Sequence, residues 1–186
     1  MTIIGSRFPM PSGLFPYEPS FHHACLRIRE QTWFTEEWIC KCGPWSSATA
    51  PQYLVLKLLK RRWSDDDPAA IGNKSGIFFS MWIDANDPAQ LRFNIHALKL
   101  RGLKGYTLAS RKFATDFRSA FAPLGSSWPK YRTNFGPQTL IEGLMLTPPK
   151  ETAKLLVSLA AKFAEASIVI DRLLDAAKKP MTMERF

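Results

Sequence analysis

The sequence has few cysteines and no long apolar run. Its three cysteines are too few, and odd in number, for a disulfide-stapled scaffold. Its apolar stretches fall well short of the roughly 18 residues that a membrane-spanning helix needs. Because 46% of the residues are hydrophobic and 22% are charged, the composition also excludes a mainly disordered chain. The 186 residues therefore predict one globular domain that has no membrane partner.

Signatures of familiar enzymes are missing as well. The chain has no Gly-x-Ser-x-Gly elbow, no phosphate-binding loop ending in Gly-Lys-Ser/Thr, no dinucleotide glycine fingerprint and no His-Glu-x-x-His. No cofactor is predicted. Prolines at positions 9, 11, 16 and 19 are incompatible with the continuous apolar helix of a secretory signal, so the expected location is the cytoplasm.

Positive charge is what the chain does have, and it is unevenly distributed. The net charge is +9, yet residues 1–90 hold nine basic and nine acidic side chains, which cancel. Residues 91–186 hold sixteen basic groups against seven acidic ones. Between Arg92 and Arg132, nine cations face a single acid, Asp116. A positive field concentrated in about forty residues attracts polyanions, although a basic surface kept for solubility is the simpler alternative.

Hydrophobic periodicity predicts an α+β fold with a largely antiparallel sheet of three or more strands. The strands are predicted at about 77–84, 91–100 and 139–147, and the packed helices at about 50–62, 110–122 and 151–178. Between residues 21 and 43 the pattern fits either a strand or a helix, and a helix capped by Ser20 is favoured. The short Asn86–Pro88 connection predicts a hairpin between the first two strands. Residues 1–19 are predicted to form a proline-rich arm, anchored by Phe8, Phe15 and Tyr17, and 20–186 the single domain.

The leading functional hypothesis is non-catalytic binding of a polyanion, most plausibly nucleic acid, through the basic 92–132 region. Cations are needed for phosphates and planar rings for bases, and this region supplies both. The predicted phosphate contacts are Lys99, Arg101, Lys104, Arg111, Lys112, Arg118, Lys130 and Arg132. The predicted stacking rings are Tyr106, Trp128 and Tyr131, which lie in or beside predicted loops.

Two rival functions remain open. The first is a protein interaction module or homodimer, whose cationic surface meets an acidic protein and whose C-terminal helix pairs through a heptad-like seam with a second copy or a partner. The alternative for this seam is packing against the sheet. A metal-dependent phosphodiesterase is the other rival, with Asp65, Asp66, Asp67, Glu142 or His96 as its acids and base.

Zinc is a separate question. Cys25, Cys40, Cys42, His22 and His23 offer enough ligands for a tetrahedral site. Only one residue separates Cys40 from Cys42, whereas structural sites usually space paired cysteines two to four residues apart. We therefore predict free thiols and no bound metal.

Overall fold

The structure is a computed structural model that describes residues 10–46, 52–65, 67, 71–72 and 75–179. Its three helices are α1 (Glu18–Arg29), α2 (Ser110–Gly125) and α3 (Pro149–Ala176). Its six strands are β1 (Trp38–Trp45), β2 (Tyr53–Lys60), β3 (Gly76–Asp84), β4 (Asp87–Leu98), β5 (Tyr131–Arg132) and β6 (Thr139–Leu146). In chain order, α1 precedes the first four strands, α2 follows β4, and α3 comes last.

All six strands form one antiparallel sheet in the order β1-β2-β3-β4-β6-β5. Successive side chains of a strand point to opposite faces, so the register assigns each residue to one face. On β3, Ile77, Phe79, Met81 and Ile83 are fully buried on the helix-covered face, where the Phe79 ring stacks on Phe163 of α3 at 4.5 Å. The alternate residues of β3 and β4 lie on the opposite side, called here the open face.

The predicted α+β class and antiparallel sheet are confirmed. The strands predicted at 77–84, 91–100 and 139–147 correspond to β3, β4 and β6, and the helices predicted at 110–122 and 151–178 correspond to α2 and α3. The hairpin between β3 and β4 is present, with Trp82 opposite Arg92. No helix in the part of the chain that the structure describes is both long and apolar enough to cross a membrane.

The helix predicted at 50–62 is wrong, because this segment contains strand β2. Leu54, Val55, Leu58 and Leu59 have helical spacing, but they belong to a run that is buried on both faces of the sheet. Lys57 interrupts that run without reaching solvent. Its ammonium group donates to the Ile71 carbonyl oxygen at 3.3 Å and lies 5.5 Å from the centre of the Phe78 ring.

The N-terminal segment between residue 10 and α1 packs partly into the core. Leu14 is fully buried and Tyr17 nearly so, and α1 begins at Glu18, two residues before the predicted cap. The Ser20 hydroxyl instead donates to the Pro149 carbonyl oxygen at 3.1 Å, which ties α1 to α3. Of the predicted anchors, Tyr17 packs in the core, Phe15 is 54% exposed, and Phe8 lies outside the described residues.

The heptad-like seam of α3 is buried within the chain itself. Its helix runs unbroken from Pro149 to Ala176. The seam residues Leu156, Leu159, Phe163, Ala166 and Ile170 are at most 2% exposed. Pairing of two copies through this seam would therefore require the domain to give up its own core.

Candidate functional site

Three of the predicted phosphate contacts lie together in the connection between β4 and α2. Lys99, Arg101 and Lys104 are all exposed, and none forms an ion pair with a carboxylate in the described part of the chain. Lys99 leaves β4 with φ of 48°, in the left-handed region, so the backbone turns sharply there. The backbone NH of Lys104 donates to Asp65 at 2.9 Å. This carboxylate therefore fixes the backbone of the loop. Asp66, another of the acids considered for a phosphodiesterase, lies outside the described residues.

The C-terminal end of α3 adds two lysines to this loop. The Thr107 amide donates to the Ala177 carbonyl oxygen at 2.8 Å, and the Lys179 amide donates to the Gly105 carbonyl oxygen at 3.0 Å. Lys178 is paired with Asp175 at 2.9 Å, whereas Lys179 is exposed. The basic end surface is defined here as Lys99, Arg101, Lys104, Lys178 and Lys179.

The predicted cations on α2 have different roles. Arg111 is exposed, and Lys112 is paired with Asp116 at 2.6 Å. The Arg118 guanidinium donates to four backbone carbonyl oxygens, which belong to Phe135, Gly136, Thr139 and Leu140, at 2.9–3.1 Å. Arg118 therefore fastens the loop that leads into β6. With Nε and Nη2 engaged in this way, Arg118 is expected to contribute less to phosphate binding than the exposed cations do.

The three predicted stacking rings are not on the surface as expected. Trp128 is 7% exposed and packs edge-on against Phe163 at 5.3 Å, while Tyr106 is 9% exposed. Tyr131 is half-buried, with its ring 5.5 Å from Phe121. Their position beside loops does not keep them out of the core. The neighbouring Lys130 and Arg132 are exposed.

The open face contains a cavity of about 460 Å³. Its walls carry four aromatic rings, from Trp45, Tyr53, Phe78 and Trp82. Its polar lining includes Ser80, Asp84, Arg92, Asn94, His96 and Glu142. The volume lies within the range of small-ligand pockets, which combine apolar walls with a few fixed polar groups.

Hydrogen bonds fix the tautomer of His96. The Asn94 side-chain nitrogen can only donate, so His96 Nε2, at 2.9 Å, must accept and carries no proton. The proton is on Nδ1, which faces the Gln138 carbonyl oxygen at 3.3 Å. Burial lowers the pKa of His96, and the Gln138 contact opposes this only in part. The neutral ring thus orients the Asn94 amide.

This arrangement leaves polar atoms of the cavity without partners. Asn94 is only 3% exposed, and its Oδ1 has no hydrogen bond to any described residue. Arg92 Nε is likewise buried and unpartnered, although its guanidinium lies 3.7 Å from Asp87. A buried acceptor without a donor costs free energy, so water or a ligand is expected to supply a donor to Asn94 Oδ1.

The sequence predicted only part of this site. Alternation along β4 places Arg92, Asn94 and His96 on one polar face, which the structure confirms. Trp82 and Glu142 were not connected with them, because their proximity depends on pairing with β3 and β6. The aromatic run of β3 was the sequence feature that could have indicated the rings of this cavity.

The candidate zinc ligands lie between α1 and β1. The sulfur atoms of Cys25 and Cys40 are 3.1 Å apart, and Cys42 Sγ lies 3.5 Å from Nδ1 of His22. Thiol hydrogen bonds from Cys40 and then Cys42 lower the pKa of Cys25. Among the described residues, no group of three or more such side chains has the geometry to hold a metal ion.

Comparison with known proteins gives no assignment. No protein-family model matches the chain, and no curated protein or solved structure is similar to it. The functional interpretation therefore depends on the geometry of the basic end surface and of the cavity.

Proposed function

We propose that this protein binds nucleic acid without catalysing a reaction on it, and that exposed cations of the second half of the chain contact the phosphates. The observation that carries the proposal is the basic end surface. Residues 105 and 107, which directly follow the loop of Lys99, Arg101 and Lys104, are joined by backbone hydrogen bonds to residues 177 and 179. Of the five cations of this surface, only Lys178 has a carboxylate partner among the residues described. Unpaired cations held at one end of a fold attract polyanions at long range.

Only some of the other phosphate contacts predicted from the sequence remain in the proposal. Arg111, Lys130 and Arg132 are exposed and available, whereas Lys112 and Arg118 are engaged within the chain. Phosphate binding is consequently expected to depend most on the loop between β4 and α2. Base stacking by Tyr106, Trp128 or Tyr131 is no part of the proposal. The rings of Trp128 and Tyr131 pack against other side chains, and Tyr106 is nearly buried where its backbone pairs with Lys178.

A charge-reversal experiment tests the proposal. The double variant Arg101→Glu/Lys104→Glu is titrated against a fluorescein-labelled single-stranded 12-mer, with fluorescence anisotropy as the readout. The matched control is Lys150→Glu/Lys154→Glu, two exposed lysines in the first turns of α3, which change the net charge equally. We expect the loop variant to lose about tenfold or more in affinity and the control to lose much less.

Equal losses in the two double variants would contradict the proposal, since they would reflect net charge alone. The absence of measurable binding by the unmodified protein at 50 mM salt would also contradict it. Thermal unfolding of each variant shows whether the fold is retained.

A further inference from the structure

The cavity on the open face has a composition unlike that of the basic end surface. Four aromatic rings line it, and the most exposed of them, Trp45, lies with its ring 5.6 Å from that of Tyr53. Trp82 is half-buried on the central strand β3. Phe78 is nearly buried and its ring already contacts Lys57 and His96, whereas Trp82 has no ring partner among the described residues and can receive a flat partner.

The polar lining of the cavity includes three acceptor groups, from Asn94, Asp84 and Glu142, beside the Arg92 guanidinium, which donates. Asn94 Oδ1 is buried and without a donor, and Glu142 forms no hydrogen bond or ion pair with any described residue. Asp84 adds a second carboxylate at the edge, where it accepts from the Asn86 amide at 2.8 Å. Two carboxylates repel a phosphate. An exocyclic amino group, in contrast, satisfies carboxylate and amide acceptors.

One cation lines the cavity beside these acceptors, and two more belong to neighbouring positions of the chain or sheet. Arg92 lines the cavity, and Lys99 directly follows Leu98, another lining residue. Arg132 pairs with Glu142 in the register of β5 and β6, so it belongs to the same sheet face. A nucleic-acid backbone can therefore follow the rim while one base points inward. Only an unpaired base fits this description, because a base pair hides its edge from the cavity.

From this charge complementarity and the orphaned acceptor, we infer that the cavity holds one unpaired, amino-bearing base of a single-stranded nucleic acid. Trp82 stacks on the base, and Asn94 Oδ1 accepts from its amino group. This inference deepens the proposed function and depends on it. It predicts that affinity has a base-dependent part in addition to the phosphate-dependent part.

The test compares two probes of equal phosphate charge. One is a 12-mer of deoxycytidine, and the other is a 12-mer made only of abasic sites. Both are titrated by fluorescence anisotropy with the unmodified protein and with Trp82→Leu, which keeps an apolar side chain but removes the ring. We expect the unmodified protein to bind the deoxycytidine probe about fivefold to 150-fold more tightly than the abasic probe. Trp82→Leu should reduce this ratio to near one and leave abasic binding unchanged.

Two further variants sharpen the result. Asn94→Ala should also reduce the ratio, while Phe15→Ala, which removes an exposed ring outside the cavity lining, should leave it intact. Thermal unfolding shows which variants fold. If either Trp82→Leu or Asn94→Ala fails to fold, the affinity ratio measured with the other variant tests the inference.

The possible failures are distinguishable. Equal binding of both probes by the unmodified protein would overturn the base pocket and leave the proposed function standing. Binding of neither probe would overturn both. A dimer that Trp82→Leu dissociates, seen by sedimentation, would also overturn the inference, because a second copy would then cover Leu144 and Leu146 on the open face.

Discussion

Arg118 provides a test of structure against sequence, because the sequence assigned it to phosphate and the structure assigns it to the fold. Its Nε donates to Leu140 O at 3.1 Å, and Nη2 lies within 2.9–3.1 Å of the carbonyl oxygens of Phe135, Gly136 and Thr139. Removing the guanidinium in Arg118→Met keeps the apolar stem but deprives four carbonyls of their donor. Some of these carbonyls regain water, since Gly136 is exposed.

The expected magnitude follows from these contacts. A hydrogen bond from a charged donor contributes about 1.5–3 kcal/mol. The Nε–H and the two N–H groups of Nη2 supply three such donors, and water at the exposed carbonyls offsets part of their loss. We expect Arg118→Met to lower the free energy of unfolding by about 3 kcal/mol, which corresponds to roughly 6–12 °C in Tm for a chain of this size. Urea unfolding followed by circular dichroism measures the change.

Arg111→Met is the matched control, because Arg111 is an exposed arginine on the same helix. It should change stability by less than about 0.5 kcal/mol. The reasoning would be refuted if Arg118→Met destabilised the protein by less than about 1 kcal/mol. It would equally be refuted if the folded variant lost as much affinity for the 12-mer as the Arg101→Glu/Lys104→Glu variant.

Three other predictions concern single positions. Lys99→Gly should raise the free energy of unfolding by about 0.5–1 kcal/mol, since glycine relieves the left-handed backbone, while weakening oligonucleotide binding; a lower Tm would contradict this. Gly143→Ala should destabilise by about 1–3 kcal/mol, because a Cβ there would overlap the Phe93 ring and lie 2.6 Å from the Lys130 carbonyl oxygen. As its control, Gly102→Ala should leave the free energy of unfolding unchanged in the same urea titration, because no atom lies within 4 Å of the added Cβ. Burial lowers the pKa of His96, so the unfolded chain binds the extra proton below about pH 6.5. Stability should therefore fall more steeply between pH 7 and pH 5 in the unmodified protein than in His96→Gln, and parallel curves would exclude this effect.

Local patterns predicted much of the fold, and their failures have physical causes. Clean alternation identified β4, and three- and four-residue steps identified α2 and α3. The segment of β2 failed because a strand buried on both faces has no alternation, so its leucines matched a helix equally well. Strand β1 was not predicted, because it contains Gly43 and Pro44, which are uncommon in strands except at a sheet edge such as this one.

The candidate site was harder to predict than the fold. Charge density along the chain located the loop of Lys99, Arg101 and Lys104. It could not show that the Arg118 guanidinium donates hydrogen bonds to backbone carbonyl oxygens. Loop position was a poor guide to exposure, as Trp128 shows. The cavity depends on the register between strands that are distant in sequence, and no local pattern contains that information.

The dependence of binding on salt tests the central claim most directly. Anisotropy titrations of the single-stranded 12-mer are run between 50 and 200 mM sodium chloride with the unmodified protein. If five phosphates are contacted at about 0.7 counterions each, the logarithm of affinity falls with a slope near −3.5, a loss of roughly 130-fold across this range. The Arg101→Glu/Lys104→Glu variant should show a slope shallower by about 1.4. A slope near zero, or the same slope in both proteins, would contradict the account.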